Sequence, residues 1–313
     1  MSSSICLLAD YIADYNNDYD ITDEKFGSYS MGEVRGAIRK SDNLHVAIKV
    51  IKMDMSDTYN LSSVMREIEL LATIKHPKCI RLVGFNLYPC PIIITKYIPN
   101  GTLYNALQKK NKKLQGHEEF TSTKMMCSIY GICSAMDYLH SKGIMHRGLT
   151  PMDILLDENY DVRLGGFGLS RKNNPKRRMT VKVGAPLYMA PELIEGKYSN
   201  YTNTVDVFSF GVMYLQYFGE LRNLDDNNGS IGSADNLMDR VTQGARFARP
   251  DGVTNKQWSI YTRCTDENPF FRPTFHQLTQ LFELDESYWF EGVNKEEYMA
   301  YIKKCKKAIW SLF

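Results

Sequence analysis

The chain of 313 residues carries 38 Lys and Arg against 36 Asp and Glu, and this balance excludes the global basic field of a nucleic-acid-binding protein. Its 43% hydrophobic content is enough to bury a sizeable core. Seven scattered cysteines without a Cys-x-x-Cys pair predict reduced thiols, no zinc site and a cytoplasmic location, with the nucleus as the alternative. The N-terminal apolar run is too short for a signal peptide, and no stretch reaches transmembrane length.

The first hundred residues predict a small β-rich unit with one helix. A hairpin across Ser41–Asn43 joins two β-like runs. The helix has Ser62 or Ser63 as its N-cap and stops at His76-Pro77, because proline cannot continue a helix. In chain order, the predicted elements are a hairpin over 26–50, a helix over 62–75, and strands over 80–85 and 92–97.

The remainder of the chain predicts a mainly helical unit. One apolar stripe runs from Met125 to Leu139 and stops at Gly143, and a second apolar helix covers about 205–218. The loop at 225–229 is a predicted surface insertion. From Asn294 a basic amphipathic helix is predicted, with Lys303, Lys304, Lys306 and Lys307 opposite the apolar residues Ile302, Cys305, Ile309 and Leu312.

Four motifs follow one another in the chain. Residues 46–49 read Val-Ala-Ile-Lys, and residues 146–153 read His-Arg-Gly-Leu-Thr-Pro-Met-Asp. Residues 166–168 read Gly-Phe-Gly, and residues 183–192 read Val-Gly-Ala-Pro-Leu-Tyr-Met-Ala-Pro-Glu. In order and spacing they resemble the eukaryotic protein kinase family. A later stretch, with Cys264, Asn268-Pro269 and Arg272-Pro273-Thr274-Phe275, leans towards the tyrosine-kinase-like branch of that family.

The resemblance implies an α+β, bilobal protein-kinase-like fold. A small β-rich N-lobe with one regulatory helix would precede a larger, mainly helical C-lobe. The expected domains are a lead-in over 1–19, to which we assign no function, a kinase-like domain over 20–283, and a C-terminal amphipathic helical extension over 284–313. The N-lobe would cover about 20–98 and the C-lobe about 99–283.

The resemblance also implies a site for ATP. Lys49 would contact the α- and β-phosphates and pair with Glu67, while Thr95 and Tyr97 would lie at the gatekeeper and hinge positions beside the adenine. Tyr29 replaces the middle glycine of the phosphate loop and is expected to crowd or cover the β/γ-phosphate region. The expected nucleotide-binding residues are Gly27, Gly32, Val34, Ala47, Lys49, Glu67, Thr95, Tyr97 and Leu155.

The catalytic acids of the family are missing from this framework. Gly148 stands at the position of the catalytic base, Thr150 at that of a lysine, and Gly166 at that of the metal-binding aspartate. Asp153 stands at the position of the metal-binding asparagine, and it is the one residue expected to bind magnesium, if that ion binds at all.

These departures predict a pseudokinase, a signalling or scaffold module that binds ATP weakly and transfers phosphate poorly or not at all. The alternative is an atypical active kinase that phosphorylates Ser/Thr or Tyr with the help of Asp153. A third reading is a scaffold without nucleotide. A protein partner would dock on the basic segment 171–182 or on the C-terminal helix, although packing on the large lobe is favoured for that helix. Thr180, in the basic segment, could be phosphorylated and pair with Arg147.

Overall fold

The computed structural model describes residues 8–29, 32–53, 58–111, 120–172, 183–196, 201–219, 221, 224 and 233–310. The chain divides into two compact units. The first contains Met1–Lys75 and Cys79–Pro99, and the second contains His76–Lys78 and Asn100–Phe313. The predicted loop at 225–229 lies outside the described residues.

The first unit is built on one antiparallel sheet with the strand order β1-β2-β3-β5-β4. Its elements are α1 (Tyr15–Asp18), β1 (Tyr19–Tyr29), β2 (Gly32–Arg39), β3 (Leu44–Ile51), α2 (Thr58–Thr73), β4 (Leu82–Asn86) and β5 (Ile92–Lys96). Alternate residues of β3 are buried, with Val46 and Ile48 packing against Ala37, Ile92 and Ile94 in an apolar cluster. This alternation is typical of a strand with one buried face.

Helix α2 begins earlier than the sequence predicts. It starts at Thr58, so that Ser62 and Ser63 lie inside the helix and the prediction that one of them caps it was wrong. Serine is common at caps because its hydroxyl competes for backbone groups, but a helix also tolerates it on a partly exposed face. The helix ends at Thr73, shortly before His76-Pro77, as predicted.

The lead-in to the first strand covers an edge of the sheet. The Phe85 amide in β4 donates to the Tyr11 carbonyl at 2.8 Å, and the Ala13 amide donates to the Phe85 carbonyl at 2.9 Å. Residue 12 therefore bridges to β4 in a parallel sense. A Cβ built on Gly84 would lie 3.0 Å from the Ala13 Cβ, so glycine allows this close approach.

The second unit is organised around two buried helices. Its helices are α3 (Leu103–Asn111), α4 (Ser122–Ser141), α5 (Pro191–Glu195), α6 (Thr204–Leu215), α7 (Ala234–Thr242), α8 (Asn255–Cys264), α9 (Phe275–Leu284) and α10 (Lys295–Trp310). Its strands are β6 (Ile144–Met145), β7 (Ile154–Leu156), β8 (Val162–Leu164) and β9 (Arg171–Lys172). Helices α9 and α10 pack on α4, and α8 packs on α6. Every residue from Val205 to Leu215 is buried.

Short strands of this unit hold the loops that carry its polar residues. β7 pairs with β8, and β6 pairs with β9. Helix α4 delivers the chain to β6 through Gly143, whose φ of 68° is the left-handed conformation that ends many helices. The predicted kinase-like α+β fold is thus confirmed, with a five-stranded unit and a helical unit.

Candidate functional site

An ion pair joins β3 to α2 in the first unit. Lys49 Nζ donates to both carboxylate oxygens of Glu67, each at 2.9 Å. Glu67 is 9% exposed and precedes the fully buried Ile68, so packing of the helix holds its carboxylate in place. The structure therefore contains the Lys49–Glu67 pair that the sequence predicts.

Four of the expected nucleotide-binding residues share one face of the sheet. Val34 lies opposite Lys49, and Ala47 lies opposite Thr95. Directly paired residues point to the same side of a sheet, and so do residues two apart in a strand. These four side chains consequently point away from the apolar cluster of β3.

The glycine positions of β1 and β2 lie beside this face. Gly27 pairs with Val34, and Tyr29 pairs with Gly32. A Cβ on Gly27 would meet nothing within 4 Å, so this glycine leaves open space. The side chain of Tyr29 lies outside the described residues, and its effect on the phosphate region stays a prediction.

Tyr97 and Leu155 complete the expected set. The Tyr97 ring stacks on Phe26 at a centroid distance of 4.8 Å, and its amide donates to the His45 carbonyl at 3.1 Å. Burial, helped by the negative charge of Glu24, raises the pKa of Tyr97. Leu155 belongs to the second unit, where it is half-buried in β7.

A buried carboxylate fixes the turn at the start of the His-Arg-Gly motif. Asp206, fully buried in α6, accepts the amides of His146 at 2.8 Å and Arg147 at 2.7 Å. It also lies 2.9 Å from His140 Nε2. Burial alone would raise the pKa of Asp206, but these hydrogen bonds and the two histidines hold that pKa below its usual value. Asp206 therefore fixes the backbone turn at residues 146 and 147.

The buried side chain of Arg147 makes hydrogen bonds within the chain. Its φ is 64°, and its side chain is only 3% exposed. Nε donates to the Leu169 carbonyl at 2.8 Å, and Nη1 donates to the Tyr201 hydroxyl at 2.7 Å. Thr180 lies outside the described residues, so its pairing with Arg147 stays a prediction.

Gly148 has no side chain at the position of the base. A Cβ built there would lie 3.1 Å from Leu169 Cδ1, close to the end of a flexible side chain. Gly148 is also absent from the residues with positive φ. An aspartate could therefore replace it with a small movement of Leu169.

Asp153 and Gly166 compete for one space. A Cβ built on Gly166 would lie 2.0 Å from Asp153 Oδ1 and 2.5 Å from its Cγ. The φ of Gly166 is 74°, which also disfavours a side chain. The Asp153 carboxylate therefore fills the place where the first atoms of a residue-166 side chain would stand.

Thr150 holds that carboxylate. Its hydroxyl donates to Asp153 Oδ2 at 2.6 Å and its amide to the same oxygen at 3.1 Å. Sequence reasoning treated Thr150, Asp153 and Gly166 as separate departures from the family pattern, and missed that they form one arrangement. The Thr-x-x-Asp spacing, typical of a local turn, was the available signal for the first two.

The side chains at positions 153 and 166 do not form a site in which two ligands could hold a magnesium ion. Residue 166 contributes no ligand, and one oxygen of Asp153 already accepts two hydrogen bonds. Among the described residues there is no group of three or more His, Cys, Asp or Glu side chains that could hold a metal ion.

A second ion pair, between Glu192 and Arg272, fixes the end of the 183–192 motif. Arg272 donates from Nη1 and Nη2 to the two oxygens of Glu192 at 2.6 and 3.0 Å. Both residues are buried, and the arginine also donates to the carbonyls of Asp266 and Thr204. The pair is buried and therefore acts as a structural link between the start of α5 and the turn before α9.

The two predicted docking segments differ in what the structure describes. Of the basic segment, residues 173–182 lie outside the described residues. Helix α10 packs on α4 through Tyr298, Ile302 and Cys305, while Lys303 and Lys304 are exposed. Packing is therefore the role that the apolar stripe of this helix has here. In the described part of the chain, no helix is both long and apolar enough to cross a membrane.

Tyr301 ties α10 to the β7–β8 hairpin. Its hydroxyl donates to Asp161 Oδ1 at 2.7 Å, and Lys78 Nζ donates to the same oxygen at 2.7 Å. Lys78 also lies over the Tyr301 ring, 4.3 Å from its centroid. No sequence motif indicated this network, because its members are far apart in the chain.

Comparison with known proteins gives a family match and several relatives. A family model described as the protein kinase domain matches residues 21–282. Tyrosine-protein kinase ABL2 of Homo sapiens is 30% identical over 84% of this chain and 22% of its own length. RGS domain-containing serine/threonine-protein kinase A of Dictyostelium discoideum is 30% identical over 76% of this chain and 20% of its own length.

A third relative, dual specificity protein kinase shkB of Dictyostelium discoideum, is 28% identical over 85% of this chain and 39% of its own length. The chain thus matches between one fifth and two fifths of the length of these relatives. The names of these three relatives describe a tyrosine-protein kinase, a serine/threonine-protein kinase and a dual specificity protein kinase.

Proposed function

This chain belongs to the protein kinase family, and we propose that it is a pseudokinase: it binds ATP weakly, transfers phosphate inefficiently if at all, and acts through protein partners. The proposal takes its family from the match over residues 21–282. The expected loss of phosphate transfer rests on Gly148 and Gly166, which stand at the positions where the family has acidic residues.

The observation that carries the proposal is the arrangement of Asp153 beside Gly166. One carboxylate occupies the space next to residue 166, and Thr150 binds it through two hydrogen bonds. A carboxylate satisfied by neutral donors needs no cation to be stable in a partly buried site. The turn over residues 150–153 is therefore stable without the metal ion that phosphoryl transfer requires.

The missing groups act together in an active kinase. A general base contributes about 10²–10⁴-fold to a rate, and Gly148 can contribute nothing of this kind. Gly166 removes the carboxylate that would grip the metal, and Thr150 removes a cation near the transferred phosphoryl group. Because these groups cooperate, their losses do not simply add, but together they leave little to stabilise the transition state.

Weak ATP binding is supported by the first unit. Lys49 is held by Glu67 on the face that also carries Val34, Ala47 and Thr95. A lysine presented this way would contact phosphate oxygens, and the small side chains beside it would leave room for an adenine ring. The open space at Gly27 is consistent with close approach of a ligand to the backbone.

An atypical active kinase remains the second candidate, and the same carboxylate favours it. Asp153 Oδ1 lies where a residue-166 side chain would begin, so Asp153 could bind a single ion in place of the missing aspartate. In that reading it would support phosphorylation of Ser/Thr or Tyr, with a water molecule relaying the proton.

Partners and location complete the proposal. A protein partner would dock on the basic segment 171–182, whose sequence contains six Lys or Arg and no acid. Six cysteines in the described residues are free thiols, which supports a cytoplasmic location, or a nuclear one.

Two measurements on the purified chain test the proposal. Thermal shift with ATP should show a raised melting temperature without added magnesium, because a ligand that binds the folded state stabilises it. The shift should disappear in Lys49→Ala. Radiolabelled phosphate transfer from ATP to a generic substrate should be at background in the native chain and in Lys49→Ala alike.

Two outcomes would contradict the proposal. Phosphate incorporation by the native chain that is lost in both Lys49→Ala and Asp153→Ala would establish the active-kinase alternative. Absence of any shift at millimolar ATP would reject the nucleotide-binding part and leave a scaffold without nucleotide.

A further inference from the structure

Helix α10 lies beyond the family match, which ends at residue 282, and is nevertheless built into the second unit. Its Tyr298 is fully buried, and the hydroxyl of that residue donates to the Phe282 carbonyl at 3.2 Å. Just before the helix, the Asn294 amide donates to the Thr123 hydroxyl at 2.9 Å. These bonds attach α10 to α9 and to the start of α4.

Tyr301, three residues further along the helix, binds a carboxylate instead. Its hydroxyl donates to Asp161 Oδ1 at 2.7 Å. Gly131 on α4 leaves room for this contact, because a Cβ built there would lie 2.7 Å from the Tyr301 hydroxyl oxygen. Burial raises the pKa of Tyr301 well above its usual value, so the hydroxyl stays a donor.

The carboxylate that Tyr301 binds is charged. Burial alone would raise the pKa of Asp161, but the Lys78 ammonium and the bound hydroxyl hold that pKa below its usual value. Lys78 Nζ donates to both carboxylate oxygens, at 2.7 and 2.5 Å. Hydrogen bonds to a charged group are stronger than those between neutral groups, so the Tyr301 hydroxyl is a substantial part of what fixes Asp161.

Lys78 holds strand β8 at both ends. Its Nζ binds Asp161, which directly precedes the strand, and its carbonyl accepts the amide of Leu164, the last residue of the strand, at 2.7 Å. Lys78 is only 4% exposed, so water competes poorly for either group. Because β8 has only three residues, a displacement of Asp161 is passed on to its far end.

The far end of β8 leads into the turn of the candidate site. The Gly165 amide donates to the Asp153 carbonyl at 2.7 Å, and Ile154, which follows Asp153, pairs with Leu164. The end of β8 therefore fixes the backbone of Asp153, while Thr150 binds its carboxylate.

We propose that Tyr301 is a positioning residue of the candidate site, acting through Asp161 and β8 on the turn that carries Asp153. Helix α10 is accordingly part of the functional unit, although it lies beyond the family match. Anything that pulls α10 from its place would loosen this turn and release the carboxylate from Thr150. The proposal concerns only the geometry of the turn and holds for a pseudokinase and an active kinase alike, so failure of either proposal leaves the other intact.

Amide hydrogen exchange of the full chain, resolved by residue with NMR, tests the role of Tyr301. The Thr150 amide donates to the Asp153 carboxylate, and the Gly165 amide donates to the Asp153 carbonyl. Protection of these two amides therefore reports directly whether the turn is held. In Tyr301→Phe, which keeps the ring and removes the hydroxyl, both amides should exchange at least about fivefold faster.

Tyr298→Phe is the matched control. It removes one buried hydroxyl from the same helix, but the acceptor of that hydroxyl is a carbonyl of α9 and not the carboxylate of the hairpin. In this variant the Thr150 and Gly165 amides should keep their native rates. The amides of α6 serve as a reference for overall stability, and they should exchange alike in the native chain and in both variants.

Four results would overturn the proposal. Native rates at Thr150 and Gly165 in Tyr301→Phe would mean that the hydroxyl does not act on the turn. A faster exchange confined to α10, or spread equally over α6, would leave Tyr301 a purely structural role. Equal increases in Tyr298→Phe and Tyr301→Phe would assign the effect to the attachment of the helix in general. Unprotected Thr150 and Gly165 amides in the native chain would show that the turn is not held in solution.

Discussion

Replacing Gly166 by alanine should destabilise the second unit far more than the same replacement at Gly143. Both glycines have left-handed φ values, 74° and 68°, so both variants share a backbone cost of about 1 kcal/mol. A Cβ on Gly143 would meet nothing within 4 Å, whereas one on Gly166 would lie 2.0 Å from Asp153 Oδ1. Only the Gly166 variant must therefore move a neighbouring side chain.

The excess cost follows from the bonds that the carboxylate would give up. Asp153 must turn away, and it then loses the hydrogen bonds from the Thr150 hydroxyl and amide. A hydrogen bond to a charged group contributes about 1.5–3 kcal/mol, and Thr150 is only 7% exposed, so water replaces these bonds poorly. We expect Gly166→Ala to cost about 2–4 kcal/mol more than Gly143→Ala.

Urea unfolding followed by tryptophan fluorescence measures this difference. All three tryptophans, Trp258, Trp289 and Trp310, lie in the unit that contains Gly166. Equal free energies of unfolding for the two alanine variants, within about 0.5 kcal/mol, would refute the reasoning. Repeating the Gly166 change in Asp153→Ala should remove most of the excess, leaving the 2.9 Å approach of the two Cβ atoms. Persistence of the full excess there would show that the carboxylate is not its cause.

Two further predictions concern buried charge. Glu192→Ala should cost about 3–5 kcal/mol, because it leaves the Arg272 guanidinium buried without its carboxylate. The double replacement Glu192→Leu/Arg272→Met should cost clearly less than the two single changes added together, as urea unfolding would show. Burial and the charge of Lys78 lower the pKa of His76 to about 4. The neutral ring is thus favoured in the folded state, and stability present above pH 6.5 should be lost as the pH falls towards 4, by up to about 3 kcal/mol. His76→Gln should lack this loss when the two proteins are compared across the pH range.

Each of these has a contradicting result. Additive costs for the Glu192 and Arg272 changes would mean that the two side chains stabilise the fold separately. Parallel pH profiles for the native chain and His76→Gln would mean that the folded state accepts a proton on this ring as readily as the unfolded state does.

The fold was predictable because its evidence is local and repeated. The stripe from Met125 to Leu139 and the alternation around Val46 and Ile48 each follow from a period that the sequence shows directly. The start of α2 was not predictable, because a serine near the start of a helix can lie either at the N-cap or within the first turns of the helix.

The site was predictable in its parts and not in its arrangement. Each departure from the kinase pattern could be read from one position, and the resemblance to the kinase family implied the Lys49–Glu67 pair. That Asp153 fills the space at Gly166 depends on how a turn and a strand end meet, 13 positions apart in the sequence. A sequence records that a side chain is missing, but not which neighbour has taken its volume.

The pairing of the lead-in with β4 sets where a stable fragment of this protein can begin. The family match starts at residue 21, but Tyr11 and Ala13 supply hydrogen bonds to Phe85 across the sheet edge. A fragment cut at the family boundary would leave those strand groups without partners, and bare strand edges recruit other chains. A fragment for expression or crystallisation should accordingly begin no later than Leu8, whose carbonyl accepts the Tyr11 amide at 3.0 Å.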